Sequence, residues 1–185
     1  MTALHRFAFE DLPAPLAERL EARVRRLGYL GEFFRCTAHQ PDALIAFIDF
    51  TEAGKRAIAD NLVEVIALTC AGWMENAYER NQHERLCLKM GLGRGWVREV
   101  NRLTPGQAVL MSPAEALVQR FVLEVLETKG MGAAGMVDGL IESLGQSEAV
   151  AVLMIIGRYV VHALVVNSLA LAPPVPSIFD EVPAS

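Results

Sequence analysis

The chain has 185 residues, of which 52% are hydrophobic and 21% charged, and it carries a formal net charge of −5 with a mean hydropathy of +0.29. So apolar a composition excludes an intrinsically disordered chain and implies a large buried core or a subunit interface. The negative charge argues against nucleic-acid binding, which needs a concentrated basic surface, and the basic run Arg23–Arg26 is more typical of a solvated helix face.

The predicted secondary structure is all-α. Apolar residues recur at intervals of three and four, alternating apolar–polar runs are absent, and prolines stand at helix starts and turns. The segment GYLGEFFRCTAHQ, residues 28–40, is predicted as a loop after the first helix. The pattern predicts helices over Pro13–Leu27, Pro41–Lys55, Ile58–Thr69, Glu75–Met90, Gly95–Arg102, Pro113–Lys129, Ala133–Leu144 and the apolar segment 149–172.

The last of these segments, AVAVLMIIGRYVVHALVVNSLALA, is long enough to cross a bilayer. It contains Arg158, His162 and Asn167, and an arginine near the bilayer midplane costs at least ~2.5 kcal/mol. A helix buried in a protein core explains the same composition at lower cost. We therefore predict no membrane span, and we interpret His162 as a hydrogen-bonded core histidine.

A chain of this length fits one domain. We expect a core over about residues 25–172, an N-terminal helical arm over residues 1–27, and a Pro-rich tail over residues 173–185. The tail cannot be helical and is expected to lie over a partner surface or to fray. A faint repeat, seen between residues 43–55 and 116–130 and in equal spacings within 64–83 and 148–167, predicts two related helical halves.

Cysteine usage indicates a reducing environment. Cys36, Cys70 and Cys87 are widely spaced, odd in number and free of any CxxC pattern, which fits neither a disulfide framework nor a zinc site. The N-terminal segment MTALHRFAFEDLP lacks the apolar stretch of a signal peptide. We therefore predict a cytoplasmic protein. No metal is expected either, because only His83 and Cys87 stand at a ligand spacing, and two ligands do not make a site.

The fourth predicted helix carries the residues best suited to chemistry. On a helical wheel, Asn76, Glu79, Arg80, His83 and Cys87 lie within about 100° of one another and form one stripe. Periodicity alone favours a solvent-exposed face. The alternative is the wall of a pocket, where a carboxylate four residues earlier would fix the tautomer of the imidazole and raise its pKa.

The span VEVIALTCAGWMENAYERNQHERLCLKMGL, residues 63–92, resembles the core of the carboxymuconolactone decarboxylase / alkylhydroperoxidase D (AhpD-like) family. The segment FFRCTAHQPDALIAFIDF, residues 33–50, is similar to the H-x-P stretch that precedes that core. The residues corresponding to the family pattern are Glu64, Tyr78, Glu79, His83, Lys89 and Gly91-Leu92. This resemblance covers about residues 25–172 and implies an AhpD-like helical bundle.

The peroxidase branch of that family resembles E-x11-C-x2-C-x3-H. Glu64 and His83 have the required spacing here, but the two cysteine positions hold Asn76 and Glu79. An amide and a carboxylate can neither form a thiolate nor close a disulfide, so a two-cysteine peroxidase mechanism is not implied. A peroxiredoxin-type antioxidant activity running on Cys87 alone stays an alternative, because His83 one turn earlier would lower the pKa of its thiol. The competing interpretation of Cys87 is a small buried apolar residue.

The decarboxylase-type branch lacks the cysteine pair and is the better match. It implies acid–base proton transfer next to a carbonyl, on a small organic acid or lactone. His83 would be the acid or base, Glu64 would orient it, and Glu79 is the third catalytic candidate. The candidate substrate-binding residues are Asn76, Arg80, Trp73 and Tyr78, with Arg80 suited to a substrate carboxylate. Each has a purely structural alternative: a helix-end charge for Glu64, a surface residue for Arg80 and simple packing for Trp73.

Three hypotheses follow: a small-molecule enzyme without a cofactor, a single-cysteine peroxidase, and a non-catalytic helical protein for assembly or ligand binding. None of them involves nucleic acid or a membrane. So apolar a chain has more hydrophobic surface than one small core usually buries, which predicts a homo-oligomer. The family resemblance implies a dimer, trimer or hexamer.

Overall fold

The computed structural model describes residues 4–180, and the described chain is helical throughout, without β-strands. The all-α prediction is confirmed. Short 3₁₀ turns cover Phe9–Asp11 and Pro105–Gln107. The α-helices are α1 (Ala14–Leu27), α2 (Glu32–Thr37), α3 (Pro41–Arg56), α4 (Asp60–Trp73), α5 (Ala77–Lys89), α6 (Arg94–Asn101), α7 (Pro113–Thr128), α8 (Ala134–Leu144) and α9 (Gln146–Ser168).

The loop predicted over residues 28–40 is wrong in its middle, where α2 forms. Gly28 ends α1 with a φ of 81°, a conformation that glycine adopts without strain. The side chains of Phe33 and Cys36, three positions apart, are then buried on one face of α2. A helix of six residues is too short to show a periodic pattern in sequence, and packing rather than propensity holds it in place.

Helix α4 lies at the centre of the fold. Its ten consecutive residues from Leu62 to Ala71 are buried, and it packs against α5, α6, α7 and α9. Helix α9 also packs against α3 and α8, and α1 packs against α3. Because α4 is enclosed on all sides, any polar side chain in its middle must find its partner inside the protein.

A sharp turn joins α4 to α5 and determines which residues of α5 face inward. Glu75 has a φ of 54°, and Asn76 caps α5 by accepting a hydrogen bond from the Glu79 amide at 3.2 Å. Asparagine is among the best N-cap residues because its side-chain oxygen satisfies an otherwise free amide. The helix therefore starts two residues later than predicted, and Asn76 lies outside it.

Helix α9 is continuous and ends at Ser168, earlier than the predicted 172. Among residues 4–180 it is the one helix long and apolar enough to cross a membrane, but 56% of the segment that meets this criterion is buried inside the protein. Arg158 and His162 are both among its buried residues. These are the features of a core helix that carries polar groups inward.

The equal spacings behind the proposed sequence repeat have different structures. Residues 64–83 run from α4 into α5 with a turn between them, whereas residues 148–167 lie within the single helix α9. The matched intervals are therefore not structurally equivalent.

The tail, predicted to cover a partner or fray, instead packs on its own chain over residues 173–180. The Ser177 hydroxyl donates to Oε2 of Glu84 at 2.6 Å, and the amide of Ile178 donates to the same oxygen at 3.1 Å. The side chain of Ile178 is fully buried, and Arg94 donates to its carbonyl oxygen at 2.8 Å. The prediction is wrong for these residues, and residues 181–185 lie outside the described part of the chain.

Candidate functional site

Helices α4 and α5 bring Glu64 and His83 into direct contact. Nδ1 of His83 donates to Oε2 of Glu64 at 2.7 Å, and both side chains are more than nine-tenths buried. The solvent-exposed face favoured by periodicity is therefore wrong. Burial alone would lower the pKa of His83, but the Glu64 carboxylate outweighs burial and raises that pKa above its ordinary value.

The second ring nitrogen of His83 faces two groups. The Tyr159 hydroxyl of α9 lies 3.4 Å from Nε2, and Oε1 of Glu79 lies 3.6 Å from it. Burial raises the pKa of Tyr159 well above its ordinary value, so its hydroxyl keeps its proton. With Nδ1 bound to Glu64, Nε2 is the nitrogen left for proton transfer.

Glu79 is held as a buried carboxylate. Nη1 of Arg158 lies 2.6 Å from its Oε1, and Nε2 of His162 lies 3.4 Å from its Oε2. Burial alone would raise the pKa of Glu79, but His162 and Arg158 outweigh burial and hold that pKa well below its ordinary value. Glu79 therefore acts as a fixed negative charge beside His83.

Arg158 is enclosed by polar and aromatic partners. Its Nε donates to Oγ1 of Thr51 at 3.3 Å, and its guanidinium carbon lies 4.3 Å from the ring centroid of Tyr159. Burial would lower the pKa of Arg158, but Glu79 outweighs burial and raises it. The charge is thus retained inside the protein.

His162 is neutral near pH 7, because burial lowers its pKa to about 4. Its ring stacks on Phe33 at 4.3 Å between centroids. The Asn76 amide lies 3.5 Å from its Nδ1, so Nδ1 accepts from Asn76 while Nε2 donates to Glu79. Asn76 and Glu79, one turn apart, are thereby both tied to α9.

Two predicted site residues lie apart from this cluster. Arg80 is 39% exposed at its side chain and approaches Glu84 at 3.8 Å, on a different side of α5. Trp73 is 43% exposed at the end of α4. Tyr78 is buried, and its hydroxyl accepts from the Phe33 amide at 3.4 Å. The helical wheel therefore placed too many residues on one face of α5. It treated Asn76 as part of the helix, and it gave Arg80 the same environment as His83.

Cys87 lies beside the pair in the environment of a small buried residue, and not in one that would activate its thiol. Its side chain is fully buried, and its Sγ donates to Oε2 of Glu64 at 3.5 Å. Burial, and then the Glu64 charge, raise the pKa of the thiol, whereas a reactive cysteine needs it lowered. The expectation that His83 would activate Cys87 is wrong, because the carboxylate lies between the two.

Two cavities flank the cluster. The larger has a volume of about 450 Å³ and is lined by Trp73, Asn76 and Tyr78, together with the end of α9 and the start of the tail. The smaller has a volume of about 10 Å³, lies between α3 and α9, and is lined in part by Arg158 and Tyr159. Three of the four predicted substrate-binding residues thus surround the larger cavity, and Arg80 does not.

Sequence reasoning did not assign Arg158, Tyr159 or His162 to the site. A signal was present for Arg158 alone, since a charged residue in so apolar a helix requires a buried counter-ion elsewhere in the fold. Within residues 4–180, no group of three or more His, Cys, Asp and Glu side chains is arranged to hold a metal ion.

No protein-family model matches the chain, and a search of curated sequences finds no match. Among solved structures, the chain is similar to the alkylhydroperoxidase AhpD core of an uncharacterized peroxidase-related protein from Ralstonia eutropha JMP134. The TM-score is 0.78 and the identity 17%, over 94% of both chains. The fold is AhpD-like.

The chain is also similar to the debrominase Bmp8. A variant of that enzyme in complex with 2,3,4-tribromopyrrole matches with a TM-score of 0.79 and 15% identity, over 93% of this chain and 91% of that one. The apo form matches with a TM-score of 0.78 and 15% identity, over 94% and 92%. At these identities the AhpD-like fold is shared, and the chemistry of this chain has to be argued from its own side chains.

Proposed function

We propose that this protein is a small-molecule enzyme that transfers a proton next to a carbonyl group, with His83 as the acid or base. The observation that carries the proposal is the buried contact of 2.7 Å between His83 Nδ1 and Glu64 Oε2, which leaves Nε2, facing Tyr159 and Glu79, as the nitrogen that exchanges a proton. A base whose pKa is raised above its ordinary value by a neighbouring carboxylate suits this chemistry. Two neighbours of the same fold, named as a debrominase and as peroxidase-related, support an enzyme.

The larger cavity is the proposed substrate site. Its volume of about 450 Å³ suits a small organic molecule. Trp73 and Tyr78 supply aromatic surface, and the Asn76 amide supplies a donor for the oxyanion that develops when the proton next to a carbonyl leaves.

The proposed proton route runs through the buried contacts between that cavity and His83. His162 lies 3.5 Å from Asn76 and 3.4 Å from Glu79, and Glu79 lies 3.6 Å from His83 Nε2. The substrate proton would pass along these contacts to Nε2 of His83, and the Glu79 carboxylate would carry its negative charge both before and after the transfer. Glu64 then stabilises the imidazolium of His83, and the return of the proton along the same contacts completes the cycle.

Exchange of carbon-bound hydrogen with D₂O tests this proposal at the proton-transfer step itself. A panel of small keto acids and lactones is incubated with the protein, and loss of the proton next to the carbonyl is followed by NMR. We expect H83N and E64Q to reduce exchange by about 100-fold or more, the usual contribution of general acid–base catalysis. H39N is the matched control, because His39 is exposed and lies outside the cluster.

The outcomes separate the three hypotheses. Exchange that survives in H83N would contradict the proposal. Saturable ligand binding at the larger cavity without exchange would support a non-catalytic binding protein. Peroxide consumption that is lost in C87S but kept in H83N would support a single-cysteine peroxidase, which the burial of Cys87 disfavours.

A further inference from the structure

The larger cavity has a single charged residue in its lining. Glu75, in the turn between α4 and α5, lines the cavity and is exposed to solvent. Among residues 4–180, no lysine, arginine or histidine lines it, and the other lining residues are apolar, aromatic or amide-bearing. A carboxylate bound there would lose water without gaining a cationic partner.

The cation predicted to hold a substrate carboxylate lies elsewhere. Arg80 is on a different side of α5, with its side chain 39% exposed. His162 contacts Asn76 behind the lining but is neutral near pH 7, because burial lowers its pKa to about 4. The charge of Arg158 is neutralised by Glu79 at 2.6 Å. These three groups therefore add no positive charge that would attract a carboxylate into the cavity.

The ends of the surrounding helices act in the same direction as Glu75. The last turns of α4 and α9 line the cavity, and so does the first residue of α5. A helix carries a partial negative charge at its C-terminal end and a partial positive charge at its N-terminal end. Two C-terminal ends thus oppose one N-terminal end, which leaves the cavity more favourable to a positive ligand than to a negative one.

Two aromatic rings complete the lining. The hydroxyl of Tyr78 accepts from the Phe33 amide at 3.4 Å, and Trp73 is 43% exposed at the end of α4. Aromatic surface packs well against an uncharged ring, and the face of an indole also attracts an organic cation. Neither ring offers a charge to an anion.

We propose that the larger cavity takes an uncharged or positively charged carbonyl compound and discriminates against carboxylates, with Glu75 setting this preference. The inference rests on the proposed function, in which this cavity is the substrate site. It narrows the substrate class to ketones, lactones and their amino-substituted forms, and it excludes keto acids.

Three matched ketones test the charge preference directly. Cyclohexanone with a methyl, an ammonium or a carboxylate group opposite the carbonyl keeps one skeleton while the charge changes, because the amine and the acid are both ionised at neutral pH. The chain has two tryptophans, Trp73 in the cavity lining and Trp96 buried on α6. Their indole N–H signals in the ¹⁵N-labelled protein therefore give one reporter and one internal reference.

The protein is titrated with each ketone at an ionic strength held constant with sodium chloride. We expect the Trp73 signal to shift and saturate, while the Trp96 signal changes little. The ammonium ketone should bind most tightly, and the carboxylate ketone should bind about fivefold or more weaker than the methyl ketone.

Two charge-reversed variants make the result specific. E75K places a cation in the lining, so the carboxylate ketone should now bind more tightly than the ammonium ketone. E142K changes the net charge by the same amount at an exposed position of α8 and should leave the order unchanged. The backbone of Glu75 has a φ of 54°, which lysine adopts with the same strain as glutamate, and circular dichroism verifies that both variants are folded.

Binding of the carboxylate ketone as tightly as the methyl ketone, or an order that persists in E75K, would overturn the inference. So would the absence of saturation at Trp73 with all three ketones. Hydrogen exchange next to the carbonyl, followed on the same ketones in D₂O, keeps the two proposals apart. The expected binding order without exchange contradicts only the proton transfer, and exchange that is fastest for the carboxylate ketone contradicts only the charge preference.

Discussion

Arg158 of α9 donates from Nη1 to Oε1 of Glu79 on α5 at 2.6 Å, and both side chains are more than nine-tenths buried. The pair ties the last long helix to the helix that carries His83. Glu79 stands where the resembling peroxidase pattern has a cysteine, so that position holds an ion-paired carboxylate rather than a nucleophile. The negative charge beside His83 is thus part of the fold.

Replacing Arg158 with methionine should be strongly destabilising. R158M leaves the Glu79 carboxylate buried without its main counter-ion, and breaking a buried pair in this way costs about 3–5 kcal/mol. The free energy of unfolding, measured by urea denaturation at pH 7, checks this. R25M is the control, because Arg25 is 77% exposed in its pair with Glu21 and should change stability by only about 0.5 kcal/mol.

The double variant E79M/R158M sharpens the test. Removing both charges eliminates the unpaired carboxylate, so the double variant should be more stable than R158M alone. Equal stabilities of R158M and R25M would show that the pair does not hold α5 and α9 together.

We expect the Glu64 carboxylate to be the main cause of the raised pKa of His83. In the native protein the titration midpoint of His83 is expected above its ordinary 6.5, and in E64Q it should fall because the neutral amide no longer stabilises the imidazolium. The chain has four histidines, so ring-proton NMR titration resolves them individually. E142Q, at an exposed position of α8, is the control and should leave the midpoint unchanged.

The Glu64–His83 pair also makes the stability of the protein depend on pH. A group whose pKa is raised on folding contributes stability that is fully present below its unfolded pKa and is lost as the pH rises through the folded value. The contribution of His83 is therefore lost above pH 6.5, and E64Q should remove this part of the pH dependence. An identical pH profile in E64Q would contradict the role given to Glu64.

His162 should make the stability of the protein depend on pH in the opposite direction. Its pKa falls from 6.5 in the unfolded chain to about 4 in the fold, so the unfolded state binds more protons between these values. Stability should decrease as the pH drops from 6.5 to 4, by about 3 kcal/mol at 1.36 kcal/mol per unit.

The variant H162F isolates this contribution. It keeps the aromatic stacking on Phe33 but removes the titrating group, so the slope of stability against pH between 6.5 and 4.5 should become flatter than in the native protein. Glu79 adds its own dependence only below about pH 4.5, the ordinary pKa of a glutamate. Parallel slopes for H162F and the native protein would show that His162 does not titrate as the burial of its ring requires.

The long helices were predictable because their signals are local. Ser112 and Pro113 indicate a helix start, and α7 begins there with a full capping box in which the Glu115 side chain accepts a hydrogen bond from the Ser112 amide at 2.6 Å. Helix α2 was missed because six residues are too few for a periodic pattern and only tertiary packing stabilises them. The tail was misassigned because its attachment to Glu84 joins residues more than ninety positions apart.

The site was predictable only in part, for the same reason. The spacing of Glu64 and His83, read together with the family resemblance, placed them on adjoining helices. The three α9 side chains that complete the cluster are Arg158, Tyr159 and His162, and they contact α5 and its cap across 76 to 86 sequence positions. A helical wheel compares residues within one helix and carries no information on the helix packed against it.

The cysteines should be unreactive in the folded protein. All three are buried, and burial raises the pKa of the Cys70 thiol to about 12 and that of Cys36 and Cys87 above the ordinary value. Iodoacetamide labelling followed by mass spectrometry at pH 7.5 should therefore modify almost none of them. In guanidinium chloride all three should react. Rapid labelling of Cys87 in the folded state would favour the single-cysteine peroxidase again.

One face of α9 carries exposed apolar side chains, and we expect it to form the interface of a homo-oligomer. Leu153, Met154, Val161 and Leu164 are 40%, 48%, 48% and 54% exposed, and their spacing places them on one face of a helix that is otherwise buried. We propose that a second copy of the chain covers this face, since no charged side chain interrupts it.

Light scattering should give a multiple of the 20.2 kDa chain mass. The variant M154E/V161E should shift the measured mass toward 20.2 kDa, because two carboxylates cannot be buried unpaired. M131E is the control, since Met131 is 82% exposed but lies between α7 and α8. A native mass of 20.2 kDa at micromolar concentration would show that this face stays in solvent.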